Sequence, residues 1–258
     1  MKIRPLAIAS LSVLSVLSVR AQYASNVLDY NPGIGFAAGF TNASAALGAP
    51  ALGAAVTPFA PPFAKSQIVS IGTGGEITLQ MTSPIWNDPS DPYGINFILF
   101  ANEFFVNSSS GVSGLFDHSA SILIQVSADD STWFTLNPSL APQAGELFPT
   151  YGGGNPQIAV NPSLTLADFT GQNLAGIESL YAGSAGGTGY DLAWALDANS
   201  NSVNLASADY VRIEVQSGVL DLDGISAVPE PATWTLILTG ATLVGFRLRN
   251  STTKTSTH

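Results

Sequence analysis

The stretch "SILIQVSADDSTWFTL", Ser121 to Leu136, decides the fold class. Ile122, Ile124 and Val126 recur at every second position, the spacing at which an extended chain returns side chains to one face. Asp129 and Asp130 break the run with turn-forming side chains, and Trp133 and Phe134 open a second apolar stretch, so the segment predicts a β-hairpin.

The same period recurs on either side. In "EITLQM" Ile77, Leu79 and Met81 alternate with Glu76, Thr78 and Gln80, which predicts a strand with one wet face. "INFILF", Ile95 to Phe100, is apolar almost throughout and predicts a strand covered on both sides. Val211, Ile213 and Val215 alternate with Arg212, Glu214 and Gln216, and in "GVLDLDGISAV" Leu220 and Leu222 oppose Asp221 and Asp223. Helical spacing is confined to "TLADFTGQNLAGIESL", where Thr165 and Asp168 stand at capping-box distance. Between Gln22 and Ala64 the apolar residues keep neither period among many Gly, Ala and Pro, which predicts an irregular segment laid on the domain surface. Many short strands with turn signals predict an all-β protein, a two-sheet jelly-roll sandwich with a short helical segment, over residues 22–227.

Composition agrees and excludes some functions. The 258 residues contain 46% hydrophobic and only 10% charged side chains, with 25 glycines and 16 prolines, enough apolar material for one sizeable core and many turns. Between Gln22 and Val228 stand 17 acids against Lys65 and Arg212 alone, so the body repels phosphate backbones and nucleic acid is excluded as a partner. The absence of cysteine removes thiolate chemistry and thiolate-held metals.

The two ends differ from the body. "MKIRPLAIASLSVLSVLSVRAQ" opens with two cations, continues through an apolar stretch and reaches Val19-Arg20-Ala21, the layout of a secretory signal peptide over residues 1–21. At the other end, "VPEP" places two prolines that cannot extend a strand ladder, fifteen uncharged residues run from Ala232 to Phe246, and Arg247 and Arg249 follow. A full membrane span takes about 20 residues, so length alone leaves both a membrane segment and a buried helix open.

Order and position resemble the PEP-CTERM sorting signal of Gram-negative bacterial proteins. That resemblance implies that Pro229, Glu230 and Pro231 form the tripeptide read by an exosortase and that residues 228–250 make the sorting segment. It also implies a hydrophobic helix held transiently in the inner membrane with Arg247 and Arg249 on the cytoplasmic side; residues 251–258 read as a polar tail. The basic cluster "RLR" is sparser than that pattern, and "NSTTKTSTH" trails it. The Ser121–Leu136 hairpin resembles that of discoidin-like, galactose-binding-type jelly rolls. "ADYVRIEV" with "DLDGISAV" resembles their closing strand pair. With "YGINFILFANEFF" and "GTGYDLAWAL" the pattern resembles bacterial surface proteins bearing PEP-CTERM tails, over about Tyr30 to Val228.

Motifs for catalysis are missing. His118 is the one histidine before His258 and reads as a loop residue; neither a G-x-S-x-G elbow nor an HExxH helix is present. "GSAGGTG", Gly183 to Gly189, lacks a following Lys-Ser/Thr and reads as a flexible surface loop. Calcium is the one cofactor with a physical motive, because acids clustered in turns supply hard oxygen ligands. Its candidate ligands are Asp88, Asp91, Asp129, Asp130, Asp221 and Asp223, none in an EF-hand spacing. Trp86, Tyr93, Trp133 and Trp194 are candidate sugar-stacking rings. The sequence therefore points to a non-enzymatic, exported cell-surface or extracellular-matrix protein whose body is structural or carbohydrate-associated, with exopolysaccharide as the candidate partner. The alternative is a secreted polysaccharide hydrolase working through paired carboxylates.

Overall fold

The computed structural model describes residues 22–116, 120–143 and 148–229. The segment expected to be a leader, through Ala21, together with His118, Glu230, Pro231, the apolar run, Arg247 and Arg249, lies outside the described residues. Two sheets pack face to face in an all-β, jelly-roll-like sandwich. The larger has six strands in the order β1 (Ala24–Asn31), β3 (Glu76–Trp86), β11 (Ser207–Ser217), β7 (Ser121–Ser127), β8 (Phe134–Leu136) and β10 (Ala195–Leu196). The smaller has four, in the order β2 (Val69–Gly72), β12 (Val219–Ala227), β4 (Phe97–Ala101) and β9 (Thr188–Tyr190). A separate hairpin joins β5 (Phe104–Ser108) to β6 (Gly111–Phe116).

Alternation explains the main core. Ile77, Leu79, Ile122, Ile124, Val126, Val211, Ile213 and Val215 point inward from the six-stranded sheet and meet Val69, Ile71, Phe97, Leu99, Leu220, Leu222 and Ile225 from the other. β7 and β8 pair through Gln125 with Thr135 and Val126 with Phe134, so the predicted hairpin forms around Asp129 and Asp130. The closing pair β11 and β12 divides between the sheets; Gly218, with φ +80, makes the corner that carries the chain from one sheet to the other.

A second interface covers the outer face of the four-stranded sheet. On β4, Phe97, Leu99 and Ala101 face the sandwich core, whereas Ile98 and Phe100 turn outward against Ala159 and Ala185. The both-sides-covered reading of "INFILF" therefore describes what is found. Beyond this layer Phe105, Val112, Phe148, Phe169, Ile177 and Tyr181 form a satellite core under the two short helices α1 (Leu166–Phe169) and α2 (Leu174–Tyr181). The capping box of α1 is made as expected: the Thr165 N–H and hydroxyl both donate to Asp168 Oδ2, at 2.7 and 2.9 Å.

Two expectations are corrected, and the surroundings of one acidic pair are decided. Residues 22–64 are not irregular throughout, because Ala24–Asn31 forms edge strand β1, whose two register shifts against β3 erase the period-2 pattern. "GSAGGTG" is not a surface loop: Ser184, Ala185 and Thr188 are buried, and a Cβ on Gly187 would lie 2.5 Å from Ile98 Cγ2. Glycine is needed there because the connector passes directly over β4. Asp221 and Asp223 alternate with Leu220 and Leu222 as expected, but their face is covered, leaving them 4% and 2% exposed.

Candidate functional site

The solvent face of the six-stranded sheet brings together polar side chains that are far apart in sequence. Antiparallel register sets Thr78 of β3 opposite Arg212 of β11, and Arg212 opposite Gln125 of β7, which in turn faces Thr135 of β8. These side chains are linked in a row. Arg212 Nε donates to Thr78 Oγ1 at 3.2 Å, Arg212 Nη1 donates to Gln125 Oε1 at 3.3 Å, and Gln125 Nε2 donates to Thr135 Oγ1 at 3.4 Å. The Arg212 guanidinium also lies over the Trp133 ring, 3.9 Å from its centroid, a cation–π contact that holds both groups in place.

Carboxylates border this row. Glu76 faces Glu214 directly across β3 and β11, and Asp29 of β1 sits beside them. Burial raises the Glu76 carboxyl above its ordinary range, a hydrogen bond shared with Asp29 raises it further, and Arg212 pulls it partly back. A groove of about 180 Å³ opens between Thr73, Glu76, Glu214 and Gln216 on one side of the row. On the other side of the row Tyr210 stands opposite Gln80 and Ser127. A second groove, about 220 Å³ and lined by Ile95, Phe148, Val160 and Leu164, carries no titratable side chain among the described residues.

The six acids named as calcium candidates lie in three separate places. Asp88 accepts from the Ser90 hydroxyl and N–H, at 2.7 and 2.8 Å, which lowers its carboxyl. Asp91, buried in the same loop, accepts from Asn96 Nδ2 at 3.2 Å. Asp129 organises the hairpin turn by accepting from the N–H groups of Thr132 and Ser131, which hold it far below the usual carboxylate range; its neighbour Asp130 takes the left-handed φ of 59°. On β12 a register shift falls at Asp223, between Leu222 and Gly224. Asp221 stands opposite Ser70, and its carbonyl accepts from the Asn102 N–H. Both oxygens of Asp223 accept from the Ala51 N–H, at 3.0 and 2.9 Å. Among the described residues no three His, Asp or Glu side chains gather in a metal-binding group.

The four candidate rings lie in three places. Trp86 and Tyr93 are exposed, Trp133 is half-buried beneath Arg212, and Trp194 packs between two apolar clusters. Of the expected sorting tripeptide only Pro229 is described, two positions after the last strand. Among the described residues no helix is long and apolar enough to cross a membrane. Sequence patterning placed Arg212, Glu214, Glu76 and Gln80 on wet faces but missed that they share one; the strand register that unites them leaves no local signal. Comparison of the chain with family models and with curated proteins finds no match.

Proposed function

We propose that this chain is an exported cell-surface or extracellular-matrix protein, sorted by an exosortase-type system, whose body associates with exopolysaccharide through the solvent face of the six-stranded sheet. The supporting observation is the row Arg212, Gln125 and Thr135 beside Trp133 and Tyr210, with the buried Thr78 anchoring Arg212. Planar amide and guanidinium groups match the paired hydroxyls of a sugar, and aromatic ring faces next to them match its C–H faces. An open sheet face suits a polymer lying along it better than a small molecule that needs enclosure. The acidic body favours neutral glycans over anionic ones.

The full chain titrated against exopolysaccharide from its own envelope tests this. Arg212→Ala and Trp133→Ala are each expected to weaken binding about tenfold or more, the equivalent of about 1.4 kcal/mol. Wild-type affinity in both variants would remove the sheet face from the reading.

A specific pair supports the second reading, a hydrolase. Glu76 and Glu214 are cross-strand neighbours, one with a raised carboxyl, and retaining glycosidases use carboxyl pairs about 5–5.5 Å apart. The same incubation distinguishes the two: reducing ends that appear with the wild type and vanish in Glu76→Gln and Glu214→Gln would establish turnover. Binding without release supports the non-enzymatic reading.

A further inference from the structure

Both ends of the body leave it at one place. β12 occupies an interior position of the four-stranded sheet, and its ladder runs to its last residues: the Ala227 N–H donates to Gln22 O at 2.9 Å and the Val228 N–H to Asn96 O at 2.8 Å. Tyr23 forms an antiparallel bridge with Ser226, and Tyr23 O accepts from both the N–H and the hydroxyl of Thr82. Because the two segments run antiparallel, the chain entering at Gln22 and the chain leaving at Val228 point out of the same end of the sandwich. Pro229 has no N–H, so the ladder stops there without a linker.

That end carries two exposed aromatic rings. The loop from Asn87 to Gly94 is tied to the exit point through the buried Asn96, whose Nδ2 donates to Asp88 O and Asp91 Oδ2 at 3.4 and 3.2 Å. Tyr93 in this loop is 57% exposed and holds φ at 63°, a left-handed conformation unfavourable for an aromatic residue. Trp86, where β3 enters the loop, is 48% exposed. The uncharged run begins at Ala232, four positions after Val228, and four extended residues reach at most about 14 Å.

We infer that this end of the sandwich is a membrane-apposed face, with Tyr93 and Trp86 docking into the headgroup region of a neutral lipid bilayer. The inference rests on the reading of residues 228–250 as a sorting and membrane segment. Given that reading, the short reach holds the exit end against the bilayer, and tyrosine and tryptophan are the side chains that settle at a membrane–water boundary. Neutral headgroups fit because Asp88 lies on this face and no Lys or Arg stands between Lys65 and Arg212. The hairpin corner at Ser217, at the opposite end of β11, is held away from the lipid.

The chain has no cysteine, so single-cysteine labels report one position each. Full-length Tyr93→Cys, Trp86→Cys, Ser217→Cys and Thr235→Cys variants, each carrying an environment-sensitive fluorophore, are reconstituted into phosphatidylcholine vesicles containing nitroxide-labelled lipid. Labels at 93, 86 and 235 are expected to be quenched at least threefold more than the label at 217. Quenching at 235 with equal, weak quenching at 93, 86 and 217 would overturn the apposed face and leave the membrane segment standing. No quenching at 235 would overturn both together.

Discussion

Asp223 is a carboxylate held in a place that offers it a single backbone donor. Burial pushes its carboxyl up to about 7, and the Ala51 N–H pulls it only partly back. The folded value lies above the ordinary 3.8, so the stability tied to this group is fully present below about pH 4 and is lost as pH rises through 7. A tenfold difference in proton affinity between the folded and unfolded chain corresponds to about 1.4 kcal/mol, so the group alone should cost the fold about 2–3 kcal/mol between pH 5 and pH 8. Asp223→Asn keeps an oxygen for Ala51 and removes the titration. Its melting temperature is expected to exceed that of the parent by several degrees at pH 8, with the gap narrowing at pH 5; parallel melting curves would remove Asp223 as the cause. A steric contact sets the limit at Gly72, where a Cβ would lie 2.1 Å from Ile34 O. Gly72→Ala should force β2 away from the segment that crosses it and cost about 1–3 kcal/mol, read as a lowered denaturation midpoint.

Among the elements, β4 shows how one strand serves two interfaces. Its inward residues belong to the sandwich, while Ile98 and Phe100 hold the covering layer that includes Ala159 and Ala185. Phe100→Ala should cost about 3–5 kcal/mol, because the cavity opens between two packed layers that cannot both collapse into it. Amide exchange should then rise first in β9 and in the 183–187 connector, while Leu79 and Val211 in the middle of the six-stranded sheet stay protected. Uniform loss of protection would mean that the two interfaces unfold as one. β1 illustrates the opposite case, an element that patterning overlooked. "ASNVLDYN" sits at a sheet edge and shifts register twice against β3, so its buried residues never fall two apart for long. The helical segment was visible beforehand because its capping box is local, made between residues three apart.

The whole molecule is a sandwich whose entry and exit chains are stitched side by side. Its last backbone hydrogen bond among the described residues is donated by Val228, so truncation after Pro229 should leave the melting temperature of the body unchanged. Truncation after Leu222 removes the rest of a strand that lies between β2 and β4, and should abolish cooperative unfolding by circular dichroism. An unchanged transition in the shorter fragment would show that β12 does not close the sheet. At this scale the wet face of the six-stranded sheet and the exit end are distinct surfaces. The proposed glycan contact and the proposed lipid contact can therefore be lost separately, Arg212→Ala affecting the first and Tyr93→Cys labelling reporting the second.

The amino-acid order alone determined the β class, the inward and outward residues of β3, β7 and β11, the turn at Asp129, the helix start at Thr165 and the unlike character of the two ends. Each of these follows from neighbours within a few positions, through side-chain period, proline chemistry or a local hydrogen bond. Only the tertiary structure decided that Asp221 and Asp223 lie beneath a covering layer, that "GSAGGTG" threads through packed side chains, and that Arg212 joins Trp133, Thr78 and Gln125 in one row. Strand register and layer stacking set these outcomes. They depend on which distant segments bury each other's apolar faces, and no short window of sequence contains that information.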